Sequence, residues 1–227
     1  MRPELRRFGN SQSAVVVIDG FSGDAEAVAE LADALAPFGS VGNYYPGLRR
    51  TITPDDAPAN DYVERSCANA AQFIAGAFDV DGFDLVEGSF SLVTLDPSDL
   101  QPAQRAPHFD STDQKYYALL HYLRVPEGTG TAFYRQRSTQ IERVTEVNVS
   151  TFVRTAEAEA AMLPCDSGYI SASNQFFEQI GAVEAVQDRL IIYQGSLLHS
   201  GIIPRDMNLS ADPRHGRLTA NIFVRGH

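Results

Sequence analysis

Apolar residues recur along this chain at two different spacings, and the change from one to the other divides it. A β-branched run, Val15 to Ile18, reads as a short strand. Val28, Leu31, Leu35 and Phe38 then fall at helical spacing, with Ser22 or Asp24 placed to cap the helix and Gly39 to end it. Ser40 to Asn60, rich in Gly, Pro, Tyr and Asp, has no clear period and reads as a long surface loop. A second amphipathic helix is predicted from about Asp61 to Phe78, its buried side marked by Tyr62, Ala70, Phe73, Ile74 and Ala77. From Phe83 the period becomes two: Leu85, Glu87, Ser89, Ser91 and Val93 alternate with Val86, Phe90 and Leu92 until Pro97. The polar linker PSDLQPAQRAP leads into His108. Further strands are predicted over Tyr117 to Val125, Thr131 to Arg135, Leu190 to His199, and Leu218 to Val224, while Thr139 to Met162, with abundant Ala, Glu and Arg, reads as helical. Two helices followed by short strands with one helical insertion is an α+β plan. The strand-rich part would close as a barrel or jelly roll with the early helices on one side.

Composition narrows the class. In 227 residues, 44% hydrophobic and 10% aromatic positions supply a sizeable core, which points to one domain. The formal net charge of -11 repels phosphate backbones, so no nucleic acid partner is expected. Cys67 and Cys165 have no metal-knuckle or disulfide spacing and are expected to be small buried hydrophobes. The apolar run Ala14 to Ile18 is too short for a secretory segment, and no stretch reaches the roughly 20 apolar residues of a membrane span. The expectation is a soluble protein in a reducing, cytoplasmic setting, with no membrane partner.

Chemistry enters at Pro107-His108-Phe109-Asp110. On an extended backbone His108 and Asp110 share a face while Phe109 turns away. An imidazole and a carboxylate so placed are two of the three ligands of the 2-His-1-carboxylate triad of non-haem iron(II) oxygenases. Alone, His-x-Asp arises readily by chance. His199, near the end of LIIYQGSLLHSG, is placed to be a third ligand, although taken alone a histidine there is more often a satisfied core residue. In Gly216-Arg217-Leu218-Thr219-Ala220-Asn221, Arg217 and Thr219 share a strand face, and a planar fork beside a hydroxyl suits a carboxylate. An arginine in a strand more commonly pairs with a surface acid. His121, beside Tyr122, would face the opposite side from it. Tyr44-Tyr45 and Phe176-Phe177 read as packing aromatics.

The order His-x-Asp, Tyr-Leu strand, distal His and Arg-x-Thr resembles the iron(II)- and 2-oxoglutarate-dependent dioxygenases, above all their prolyl-hydroxylase-like branch. PHFDSTDQKYYALLHYLRVPEGTGTAFY follows that branch closely, and QDRLIIYQGSLLHSG looks like the strand pair that delivers the distal histidine. The likeness covers roughly Phe83 to Arg225. It implies a double-stranded β-helix (jelly-roll) core at about 83–225, with helical support at about 1–82. It implies Fe(II) on His108, Asp110 and His199, and 2-oxoglutarate with its distal carboxylate on Arg217, aided by Thr219 and Tyr122. Dioxygen and an unidentified small-molecule or peptide substrate would complete the reaction. With Asp110 present, where related halogenases carry a small residue, hydroxylation or a related oxidation is the implied outcome. The chain departs from the branch in the long gap between His199 and Arg217, where Arg205 or Arg214 compete for the carboxylate. A cupin-like metal protein with other chemistry, or a binding-only module, is the alternative. Substrate and oligomeric state stay open.

Overall fold

Strand register decides which of these residues share a face. The computed structural model describes residues 2–41, 45–164 and 166–227, so Tyr44 and Cys165 lie outside the described residues. In chain order the elements are β1 (Arg2–Phe8), β2 (Ser13–Asp19), α1 (Ala25–Ala34), β3 (Gly39–Ser40), β4 (Gly47–Thr51), α2 (Ala57–Phe78) and β5 (Phe83–Val93). After two 3-10 turns come β6 (Tyr116–Arg124), β7 (Gly130–Gln136), α3 (Val149–Ala161), β8 (Phe177–Glu184), β9 (Arg189–Gln194), β10 (His199–Ile202) and β11 (Leu218–Gly226). One sheet runs β1-β2-β9-β6-β11-β5-β4-β3 and a second runs β10-β7-β8, with every pairing antiparallel.

Side chains alternate across the large sheet. Val16, Ile18, Leu119, Leu123, Leu190, Ile192, Ala220 and Ile222 point to one side, where Ala29 and Ala32 of α1 and Ala70 and Ile74 of α2 cover them. Small residues on the helices let them lie close to the sheet. Val15, Val17, Ala118, Tyr122, Ile191 and Tyr193 point the other way and meet Phe133 and Val183 of the small sheet. Each fully buried side chain of this size contributes roughly 1.5–3 kcal/mol relative to exposure. The layering is helices, large sheet, small sheet, and the site lies between the sheets.

Several expectations change. The first helix is capped by Asp24, whose carboxylate accepts from the Ala27 N–H at 3.0 Å, but it stops at Ala34. Pro37 explains the early stop, because the residue before a proline is excluded from the helical region. Phe38 is buried beyond the helix. The segment from Ser40 to Asn60 is not only loop: β3 and β4 pair onto the edge of the large sheet through β5. Helix α2 starts four residues before the expected Asp61, with Pro58 in its first turn, where a missing N–H costs nothing. Residues 1–82 are therefore not purely helical support, since they also supply β1 to β4.

Leu190 to His199 is not one strand either. The chain turns after Gln194, with Leu197 N–H bonded to Gln194 O at 3.0 Å, and His199 opens β10 in the other sheet. Helix occupies only Val149–Ala161 of the expected Thr139 to Met162. Before it, the carbonyls of Ile141 and Glu142 accept from Gln136 and Leu198, and Val144 N–H donates to Ser196 O, which commits that backbone elsewhere.

Candidate metal centre

His108 lies directly across from His199. The two exchange both backbone hydrogen bonds, each at 2.9 Å, as in a closely bonded antiparallel pair, and their rings lie 4.3 Å apart between centroids. Asp110 reaches the same face two residues on, its N–H held by Gly195 O at 2.7 Å. A β-carbon on Gly195 would come within 2.8 Å of the Tyr116 ring and 3.2 Å of Asp110 Cβ, so the close approach needs glycine. Phe109 turns away, as the alternation requires, and meets Phe152 of α3 edge-on at 5.8 Å.

Asp110 Oδ1 is 3.9 Å from His108 Nε2 and its Oδ2 is 3.6 Å from His199 Nε2. All three donor atoms lie within 4.8 Å of one another, so they can converge on one cation. The Nδ1–H of His199 donates to Leu197 O at 2.7 Å, an assignment made from the hydrogen-bond network, and this leaves the Nε2 lone pair facing Asp110. Burial lowers His199 to about 4, against the opposing pull of the Leu197 carbonyl. Burial and the His199 ring also bring His108 to about 4, although its side chain is 57% exposed on the cavity side. Both imidazoles are neutral at pH 7, the form that binds metal. Burial raises the Asp110 carboxyl, which His108 and Arg49 oppose.

The three residues open on a cavity of about 410 Å³ between the sheets. Arg217, immediately before β11, and Thr219 on it line the cavity. Arg217 is only 5% exposed, its Nε has no partner among the described residues, and one long bond of 3.5 Å runs from Nη2 to Gly130 O. Among the described residues no carboxylate forms an ion pair with it. Tyr122 is fully buried behind this wall, its ring 5.8 Å from the Arg217 guanidinium carbon and its hydroxyl 2.7 Å from Thr131 Oγ1. Thr131, rather than Tyr122, reaches the cavity surface.

The competing arginines are placed elsewhere. Arg205 donates to the carbonyls of Asp166 and Ser167, and Arg214 lies beside Asp33 and Asp212. Neither lines the cavity. His121 points to the helix side, with Nδ1 2.8 Å from the Tyr62 hydroxyl and Nε2 3.0 Å from Asp188. Arg49, Glu87, Tyr193 and Thr131 also stand on the cavity wall, although no sequence motif marks them. Alternation places Glu87 on the same face as Ser89 and Ser91. Arg49 carried no comparable signal, because β4 has no apolar period of its own.

Several solved structures share this fold. HygX from Streptomyces hygroscopicus is 15% identical, with 95% of this chain and 84% of that one covered at a TM-score of 0.55. The non-heme α-ketoglutarate dependent epimerase SnoN from nogalamycin biosynthesis is 15% identical, covering 95% and 80% at 0.56. The viral collagen prolyl hydroxylase vCPH from Paramecium Bursaria Chlorella virus-1, in its 2-oxoglutarate complex, is 13% identical, covering 94% and 96% at 0.50. HygX has also been solved with iron, and with nickel, 2-oxoglutarate and hygromycin B. At these identities the likeness is one of fold. No curated protein matches the sequence. The profile of the Family of unknown function (DUF6445) matches residues 1–224, and the chain belongs to that family.

Proposed function

We propose that this chain is a non-haem iron(II)- and 2-oxoglutarate-dependent dioxygenase on a double-stranded β-helix, hydroxylating a small molecule or an amino-acid side chain. One observation carries the reading: a His-Asp-His cluster and a buried arginine that no carboxylate among the described residues pairs with face the same cavity. His108, Asp110 and His199 would hold the metal on one face and leave its other positions to ligands. Bound there with 2-oxoglutarate and dioxygen, iron(II) supplies an oxidant able to hydroxylate a C–H bond as the cosubstrate is decarboxylated to succinate.

The protein's own part is positioning. Arg217 would take the distal carboxylate through its fork, with Thr219 and Thr131 as hydroxyl neighbours and Tyr122 holding Thr131 in place. Leu197 fixes the His199 ring, and Tyr193, edge-on to it at 4.8 Å between centroids, walls it from water. The structures of HygX with metal and 2-oxoglutarate, and of the viral prolyl hydroxylase with 2-oxoglutarate, support the cofactor pair by analogy of fold.

The test is anaerobic titration with iron(II) and 2-oxoglutarate, followed by the visible metal-to-ligand charge-transfer band. The band should appear in the wild type and vanish in His199→Ala. Metal binding without the band would overturn the 2-oxoglutarate assignment, and no metal binding would overturn the centre itself.

A further inference from the structure

The cavity holds a second cation that the chemistry above does not use. Arg49 lies on β4, paired in register with Ser91 of β5, which pairs in turn with Thr219 of β11. It is thus two strand spacings from Thr219 on β11, roughly 10 Å away across the sheet. Its Nε donates to Ser91 Oγ at 3.2 Å and its guanidinium carbon lies 4.9 Å from the Tyr45 ring centre. Those contacts fix the plane of the fork. Both terminal nitrogens have no hydrogen bond among the described residues. The nearest carboxylate oxygen, on Glu87, is 3.9 Å from Nη1, too far for one.

Glu87 also lines the cavity, with its side chain 38% exposed. Arg49 and Glu87 therefore present opposite charges side by side, each with hydrogen-bonding capacity left over. A lone carboxylate on Arg49 would meet the Glu87 charge, and a lone amine on Glu87 would meet Arg49. A group carrying both charges on adjacent atoms satisfies both at once. From Glu87 the register row runs through Phe223 and Ala118 to Tyr193, which packs against His199. The stacked rings of Tyr116 and Phe223, 5.5 Å apart, line the way between. A head group seated at Arg49 and Glu87 would project its remainder over these rings toward the metal ligands.

Resting on the oxygenase reading, we propose that Arg49 and Glu87 form the substrate's docking point, and that the substrate is a small zwitterion with a carboxylate beside an ammonium group, a free amino acid or close analogue. Calorimetry on protein loaded with nickel(II) and 2-oxoglutarate, against the twenty free L-amino acids, should find at least one that binds. Its N-acetyl and carboxamide forms should bind about tenfold more weakly or worse, as should the free form to Arg49→Gln or Glu87→Gln, in keeping with loss of a charged contact. The charge-transfer band should persist in Arg49→Gln. Equal binding of the capped forms, unchanged affinity in the two variants, or no binding by any amino acid overturns the proposal. Loss of the band in Arg49→Gln overturns it too, by assigning that residue to the cosubstrate. Wild-type protein that binds the amino acid but shows no band refutes the oxygenase reading and leaves this docking point standing; a band without amino-acid binding does the reverse.

Discussion

A guanidinium largely withdrawn from water with no anion beside it is a cost to the fold unless something supplies the anion. Arg217 is in that position among the described residues, with an unpartnered Nε and one long bond to Gly130 O. Arg217→Met keeps the bulk and removes the charge, so the metal-free protein should gain about 1–3 kcal/mol in urea unfolding. Ligand stabilisation should change in the opposite sense. With nickel(II) present and 2-oxoglutarate at a hundredfold over its Kd, the wild type should gain about 2.7 kcal/mol, and the variant nothing at the same concentration. Loss of stability in the metal-free variant would make Arg217 a structural prop and sink its assignment. Arg217 and Thr219 were legible in the sequence, as were His108 and Asp110, because residues two apart on a strand share a face by local geometry alone. Thr131 and Arg49 were not. Their places on the cavity wall depend on which strands pair and in what register, and no local pattern encodes that.

The same limit appears at the scale of elements. Long amphipathic stretches were readable: α2, β5, β6 and β11 lie within a few residues of where their periods place them. The elements that escaped notice are edge or short strands: β1 with the polar sequence RPELRRF, the two residues of β3, β4, and β8 at the edge of the small sheet. Edge strands carry charge to avoid pairing with other chains, and that charge erases the alternation. The break between β9 and β10 falls at Gln194-Gly195-Ser196, a short polar turn with apolar residues close on both sides, so the two strands read as one run. What locks the elements together is polar and non-local. In the turn between β8 and β9, Asp188 accepts from Ser22 N–H at 2.9 Å, Gly23 N–H at 2.8 Å and the Ser22 hydroxyl, and contacts His121 of β6. Burial raises its carboxyl, but the bonds from His121, Ser22 and Gly23 outweigh this and hold it well below the usual range. A carboxyl depressed on folding stabilises above its unfolded value of about 3.9 and loses that contribution as pH falls through the folded value. Asp188→Asn, which tolerates the positive φ of 63° there, should cost about 1.5–3 kcal/mol at pH 7. The gap in Tm between variant and wild type should hold from pH 7 to 5 and close toward pH 2. A gap independent of pH would show that the charge is not what matters.

For the whole molecule the governing quantity is charge. The chain carries a net -11, while the two arginines on the cavity wall are recessed, Arg217 at 5% and the Arg49 side chain at 17% exposure. A dianion such as 2-oxoglutarate therefore meets repulsion from the whole surface and attraction only near the cavity floor. The two forces have different reach. At 0.01 M ionic strength the screening length is about 30 Å, comparable to the protein, and at 0.15 M it is about 8 Å. Added salt thus removes the distant repulsion first, while a buried pair with Arg217 is screened little. The affinity for 2-oxoglutarate, titrated by its charge-transfer band, should rise severalfold when ionic strength goes from 10 to 150 mM. An ordinary surface ion pair would weaken over the same range. If the affinity instead falls, the cavity's own cations dominate the field at every distance the ligand samples. The net charge would then serve solubility alone, with no part in how an anion enters.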